Sequence, residues 1–123
     1  MTSPLHHIRL ERAREPGAPL GDSHFGYDLV APLNAEGRLD PEGDIESPSA
    51  WRVRHFEGEE TVAVGRLRHT SREHWRFHFQ AQEGPDVSAP HLGDERFALG
   101  DYVSVKDAHG QAHTFKVAQL QRL

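Results

Sequence analysis

The sequence contains no cysteine and no long apolar run. Disulfide bonds, thiol catalysis and cysteine-based zinc sites are therefore excluded. The N-terminal residues MTSPLHHIRL lack the cationic and apolar regions of a signal peptide, and hydrophobic residues make up only 36% of the chain. These features predict a cytoplasmic location, with neither export nor membrane association.

The sequence also lacks a surplus of positive charge. It has 14 basic and 19 acidic residues, for a net charge of -5, whereas nucleic-acid-binding domains usually carry a basic excess. Arginines do gather locally in residues 52–54 and 66–72, but Glu57, Glu59 and Glu60 lie close by in the sequence. We interpret these arginines as solvated strand faces, and nucleic acid is not an expected partner.

Sequence motifs for common catalytic sites are absent. There is no G-x-S-x-G nucleophile elbow, no H-E-x-x-H zinc motif and no phosphate-binding Walker loop. Residues 21–28, GDSHFGYD, bring Ser, His and Asp together, but catalytic triads assemble by convergence in space and not by sequence proximity. The sequence therefore favours a non-catalytic protein and leaves the question of an enzyme open.

The strongest pattern that is present covers residues 97–120, two alternating runs around a tight turn. Asp107 and Gly110 occupy the first and fourth positions of a type I turn, with Gly110 in the left-handed conformation of a hairpin loop. Counting outward from the turn predicts these pairs: Val105 with His113, Val103 with Phe115, Asp101 with Val117, Ser104 with Thr114, and Tyr102 with Lys116. One face of the hairpin is then apolar and needs a partner sheet.

Five further segments are predicted to be strands, because apolar and polar residues alternate in them or their composition favours strands. They are residues 5–11, 26–33, 53–56 with 61–69, and 74–80. In the segment 61–69, Val62 and Val64 define one face and Leu67 the other, so Gly65 is predicted to form a β-bulge. Segments 15–24, 34–50 and 82–95 are predicted loops, with one short helical turn after Ser47.

These elements predict an all-β chain. We expect a single domain over residues 1–123, built as a small antiparallel β-barrel or sandwich of six to eight strands with at most one short helical turn.

Five stretches occur in an order that resembles a family of proteobacterial proteins of about this length. They are HHIRLERARE, GYDLVAPLNAEGRLD, HWRFHF, GDYVSV and HTFKV. The resemblance covers most of the chain and implies an independent single-domain bacterial protein. No activity is established for the family, so the resemblance implies no catalytic residue.

The ten histidines are the one unusual feature of the composition. A divalent metal such as zinc needs convergent ligands, and a cross-strand cluster would draw on His69, His74, His78 and His113. His74 and His78 lie four residues apart, which on a strand separates them by roughly 13 Å. We therefore expect no metal or other cofactor, and keep histidine-based metal binding, or a metal-assisted enzyme, as the alternative.

Five residues are candidates for ligand binding. His24, Tyr27 and Asp28 lie in a Gly-rich segment that leads into a strand, and His113 is predicted on the apolar face of the hairpin near its turn. Trp51 follows a polar stretch, where it is either an interface anchor or a plug at one end of the barrel. A metal-free enzyme that uses the His24–Asp28 segment is a third hypothesis.

The sequence thus favours a cytoplasmic β-barrel module that binds a protein partner or a small ligand without catalysis. Self-association into a homodimer is included among the expected partners, because exposed sheet edges pair readily with a second copy of the same chain.

Overall fold

The computed structural model describes residues 4–13, 22–40, 50–71, 74–79, 87–89, 96–106 and 110–123. These residues form eight β-strands: β1 (Leu5–Arg12), β2 (Asp22–Pro32), β3 (Arg52–Glu57), β4 (Glu60–Ser71), β5 (His74–Phe79), β6 (Val87–Ala89), β7 (Tyr102–Lys106) and β8 (Ala112–Arg122). Helix is absent from the described ranges, so they include no helix able to cross a membrane. The all-β prediction is confirmed.

The strands follow one another around a closed antiparallel barrel in the order of the sequence, and β8 returns to pair with β1. Closure leaves the sheet without a free edge in principle. Among the described residues the β6–β7 junction is the narrowest, because a single pair, Ser88 with Lys106, joins these two strands there. The barrel is therefore continuous, but the number of described residue pairs differs from one strand junction to the next.

Alternation along the strands fills the interior with apolar side chains. Tyr27 lies at the centre, and its ring contacts the rings of Phe77 and Phe115 at centroid distances of 5.0 and 5.3 Å in edge-to-face geometry. Phe79 lies slightly farther away in a stacked orientation. Such aromatic contacts add to the stabilisation that burial alone provides. The interior is a packed core, so function has to be sought on the outer surface or at the ends.

The hairpin of β7 and β8 has the predicted register, from Tyr102 opposite Lys116 to Val105 opposite His113. Gly110 has a φ of 79°, which is the left-handed conformation expected after the turn. The four apolar residues of its inner face, Val103, Val105, Phe115 and Val117, are buried. A shift of one residue would expose all four, which explains why the pattern determined the register.

The β-bulge predicted at Gly65 was wrong, although Val62 and Val64 do lie on one face of β4 and Leu67 on the other. Val62 and Val64 point outward and are exposed, whereas Ala63 and Leu67 are buried. The bulge lies at Val62, because His55 pairs with Ala63 while the next residue, Phe56, pairs with Thr61. Gly65 continues the inward series without a change of face.

Two loop boundaries also differ from the prediction. Residues 22–24 belong to β2, and residues 87–89 form the short strand β6, both inside segments predicted to be loop. The predicted helical turn after Ser47 and the centre of the β7–β8 turn lie outside the described residues. Short strands rich in Ser, Ala and Asp carry little apolar alternation, and their pairing is therefore set by neighbouring strands.

Candidate functional site

Outward-facing residues of β1, β2 and β3 line up in rows across the barrel surface. In one row Arg9 is opposite Asp28, and Asp28 is opposite Arg54. In the next row His7 is opposite Val30, and Val30 is opposite Arg52. Neighbouring strands lie about 4.8 Å apart, so the two rows bring charged groups from three strands into one patch.

Asp28 is the centre of this patch and the one buried charged residue among those the structure describes. Its Oδ1 accepts a hydrogen bond from His7 Nε2 at 2.9 Å, and its Oδ2 accepts one from Arg54 Nη1 at 2.7 Å. Arg9 Nη1 lies 3.8 Å from the same Oδ2. A buried carboxylate is tolerated only when it is paired and hydrogen-bonded in this way.

Both arginines around Asp28 have other partners as well. Arg54 Nε donates to Thr61 Oγ1 at 2.7 Å, and Arg9 Nε donates to Glu11 Oε2 at 2.8 Å. Both guanidinium groups are therefore held in place and their charges are largely matched. The Asp28 cluster is a rigid support, because each of its long side chains is fixed at more than one point.

A cleft of about 310 Å³ opens beside this cluster. It is lined by His7, Asp28, Val30, Arg52, Val53, Arg54 and Val64. Arg52 is exposed, and its side chain makes no hydrogen bond or ion pair with another described residue, in contrast to that of Arg54. The cleft therefore combines apolar walls, one fixed carboxylate and one cation whose charge is not matched nearby.

The cleft lining contains one pair of residues of a kind that also occurs in catalytic sites. His7 and Asp28 form a hydrogen-bonded pair of the kind that orients a general base, and no Ser, Thr, Cys or Lys side chain lies among the described lining residues. The remaining lining residues are two arginines and three valines.

The structure separates the three residues of the predicted His24–Asp28 site. They lie within β2 and not in a loop. His24 is exposed, Tyr27 is buried inside the barrel, and Asp28 takes part in the outer cleft. Successive side chains of a strand point to opposite faces, so Tyr27 points away from Asp28. His24 and Asp28 lie four residues apart, which on a strand separates them by roughly 13 Å. Only Asp28 belongs to the cleft.

Trp51 packs against Trp75, with ring centroids 5.2 Å apart and planes 21° from parallel. It is partly buried against the core and has a φ of 61°, the one positive φ found at a non-glycine position in the described ranges. Such a backbone conformation is uncommon and requires support from packing. Trp51 thus packs against a ring of the barrel itself, and its two predicted roles, interface anchor and plug, stay predictions.

Among the residues that the structure describes, the histidines predicted as metal ligands do not come together. His78 is exposed on the outer face of β5, whereas His113 is half-buried opposite Val105. His69 and His74 lie in β4 and β5, but their side chains are outside the described set. Across the described residues, no group of three or more His, Asp or Glu side chains could hold a metal ion.

Three polar residues of the cleft were absent from the predicted site: His7, Arg52 and Arg54. Each was visible in the sequence as the polar position of an alternating strand. Their convergence depends on β1, β2 and β3 being adjacent and on their register, which no local pattern specifies. The pairing of β2 with β1 and with β3 is what places these three residues beside Asp28.

His55 is the one titratable group in the described part of the barrel that faces the interior without a polar partner. Its ring lies 4.9 Å from the Phe25 ring and 5.0 Å from the Tyr27 ring, and Nε2 is buried without a hydrogen bond. Burial lowers the pKa of His55 from its ordinary value of 6.5, and the nearby Glu57 carboxylate partly opposes this. The neutral imidazole is therefore the form that the fold favours.

Acidification should weaken the fold through His55. Because its pKa is lower in the folded chain, the unfolded chain takes up the proton first, and stability falls as the pH drops below 6.5. Urea unfolding of the wild type and of His55→Leu, at pH values on both sides of 6.5, should show a shallower loss in the variant. His78→Gln, an exposed control, should retain the wild-type dependence. Equal slopes for the wild type and His55→Leu would contradict this assignment.

Comparisons with protein-family models, curated proteins and solved structures found no match for this chain. The resemblance to a proteobacterial family therefore remains a prediction, and the function has to be inferred from the cleft itself.

Proposed function

We propose that this chain is a non-catalytic β-barrel module that binds an anionic group, carried by a small ligand or by a protein partner, in the outer cleft beside Asp28. The observation that supports the proposal is the position of Arg52. It is an exposed cation without a described partner, at the mouth of a cleft whose other charges are already matched. A carboxylate or phosphate is the natural complement to a guanidinium group in such a position.

The neighbouring charges support an anionic occupant over a cationic one. The carboxylate of Asp28 is closely matched by His7 and Arg54, with Arg9 slightly farther away. A cationic ligand would have to displace these partners from a buried group, at considerable cost. An anion could instead approach Arg52 while the Asp28 cluster stays intact.

The dimensions and walls of the cleft narrow the occupant further. Its volume of about 310 Å³ lies at the small end of the range for ligand sites. Val30 and Val64 supply apolar surface next to Arg52. The cleft therefore suits a short group with an acidic end and an apolar stem, such as the side chain of a glutamate. The proposal retains the cytoplasmic location expected from the sequence.

Amide chemical shifts offer a direct test, using glutarate as a small probe with an acidic end and a short apolar stem. Titration of the wild type should move the amide signals of Val30, Arg52 and Val64 in a saturable manner. Arg52→Ala should weaken binding about tenfold, which corresponds to the loss of a charge-assisted hydrogen bond.

Arg122→Ala is the matched control, because Arg122 is an exposed arginine on β8 that does not line the cleft. It should bind glutarate like the wild type. Shifts that are scattered over all exposed arginines, or that persist unchanged in Arg52→Ala, would refute the cleft as the site.

A further inference from the structure

The cleft lies at the border of a larger basic surface on the outside of β3, β4 and β5. We call this surface the arginine face and define it by Arg52, Arg54, Arg66, Arg68 and Arg76. Arg52 is directly opposite Arg66, and Arg68 is directly opposite Arg76. Four of the five are exposed, and Arg54 is partly exposed. Five of the chain's 14 basic residues are thus gathered on three strands of a protein whose net charge is -5.

The pairing of Arg52 with Arg66 within the arginine face is unfavourable for the isolated protein. Like charges directly opposite each other on neighbouring strands destabilise a sheet. The Arg52–Arg66 pair receives no compensating carboxylate from the described residues, since Arg66 donates from Nη1 to the Ala50 carbonyl oxygen at 3.1 Å. An external polyanion would relieve this repulsion on binding. An acidic partner would therefore balance the positive charges of Arg52 and Arg66.

We propose that the arginine face binds an acidic polypeptide segment, one of whose carboxylates enters the cleft at Arg52. This proposal rests on the function proposed above and specifies the partner. Alternate residues of an extended chain are about 6.6 Å apart on one side, the same separation as Arg66 and Arg68 along β4. A segment with acidic residues at alternate positions would therefore match the spacing of the arginines.

The composition of the surface favours a polypeptide over nucleic acid. Proteins that bind single strands supply exposed aromatic rings for base stacking, but the exposed side chains described on the outside of β3, β4 and β5 include no Phe, Tyr or Trp. The exposed apolar residues there are Val62 and Val64, which suit the apolar side chains of a peptide. The overall negative charge also opposes non-specific attraction to a phosphate backbone.

The β3–β4 turn sets one boundary for such a segment. Glu57, Glu59 and Glu60 are all exposed at this turn and would repel acidic residues. The opposite part of the surface, around Arg66 and Arg68, carries no described carboxylate in register with these arginines. The partner segment should therefore lie across the arginine end of β3–β5 and avoid the glutamate turn.

Fluorescence anisotropy with a labelled peptide of alternating Glu and Val provides the test. The wild type should bind it, and Arg68→Glu with Arg76→Glu should weaken binding about tenfold or more. Lys106→Glu with Arg122→Glu is the matched control, since it changes the net charge equally at exposed positions outside the face and should have little effect. If the double reversal impairs folding, Arg68→Gln with Arg76→Gln should give a smaller loss in the same direction.

The outcomes separate this proposal from the previous one. If glutarate binds the cleft normally but the Arg68 and Arg76 substitutions leave peptide affinity unchanged, only the proposal for the arginine face is overturned. Loss of glutarate binding from the wild type would overturn the cleft. Tighter binding of a single-stranded oligonucleotide through the same arginines would identify nucleic acid as the partner. A wild-type dimer that the Arg68 and Arg76 variants dissociate would identify a second copy of the chain.

Discussion

Gly26→Ala should destabilise the barrel by about 3 kcal/mol or more, one of the two largest effects expected from a single substitution. A Cβ at this position would overlap the backbone carbonyl oxygen of Leu10 and approach the ring of Phe56 at 3.1 Å. The backbone oxygen cannot move away without disturbing the pairing of β1 and β2. Strain at this point is therefore transmitted to the strand pair that carries Asp28.

Equilibrium unfolding in urea measures this loss, with circular dichroism as a check that the variant folds. Gly58→Asn is the control, since Gly58 has a φ of 63° and no neighbour within 4 Å of an added Cβ. Asparagine tolerates that conformation, so a change of only a few tenths of a kcal/mol is expected. A Gly26→Ala protein as stable as the wild type would show that β1 and β2 are farther apart than the structure indicates.

Phe56→Ala should cost about 3–5 kcal/mol, although Phe56 lies on the outer face of the sheet. The side chain is fully buried there, in register with Gly26. The guanidinium carbon of Arg9 lies 3.9 Å from the centre of its ring. Burial of the ring and the cation–π contact both contribute, so truncation removes two stabilising terms together.

Urea unfolding of Phe56→Ala and Val64→Ala provides the comparison. Val64 lies on the same outer surface but is 37% exposed, and its truncation should change stability by no more than about 0.5 kcal/mol. Similar small losses in both variants would mean that the Arg9–Phe56 packing is not maintained in solution. Phe56→Leu should recover part of the loss, because it restores apolar volume without the ring.

Fold prediction succeeded where apolar alternation was strong. In β7 and β8 the apolar residues occupy every second position on both sides of a turn, and only one register buries them all. In β5 the same rule placed Trp75, Phe77 and Phe79 inside the barrel. Where only one register buries all the apolar residues, that register can be predicted without knowledge of the remaining strands.

The prediction of a bulge at Gly65 failed because the more hydrophobic residues of β4 are the exposed ones. Val62 and Val64 are more hydrophobic than Ala63 and Gly65, yet the smaller residues face inward. The reason for Gly65 is steric, since a Cβ would overlap the His78 carbonyl oxygen of β5. The requirement for glycine at position 65 therefore comes from the backbone of the neighbouring strand, which the local sequence does not show.

The cleft was predictable only in part. Asp28 was identified as a candidate, but its role in the outer cleft depends on contacts with His7 and Arg54, which lie 21 and 26 residues away in the sequence. Such contacts follow from strand order and register. The basic runs were visible as well, and the nearby glutamates suggested that they would be neutralised. The turn instead places Glu57, Glu59 and Glu60 at one end, away from Arg66 and Arg68.

The pairing of β1 with β8 has a consequence for how fast this protein folds. Ile8 is opposite Leu120, so closing the barrel joins segments that are separated by nearly the whole chain. The entropy lost in forming so large a loop must be overcome before these contacts can stabilise the native state. The strands β3, β4 and β5 are joined by short connections and can associate early. Docking of β1 against β8 is then the slow step, which makes this protein a slow folder for its size.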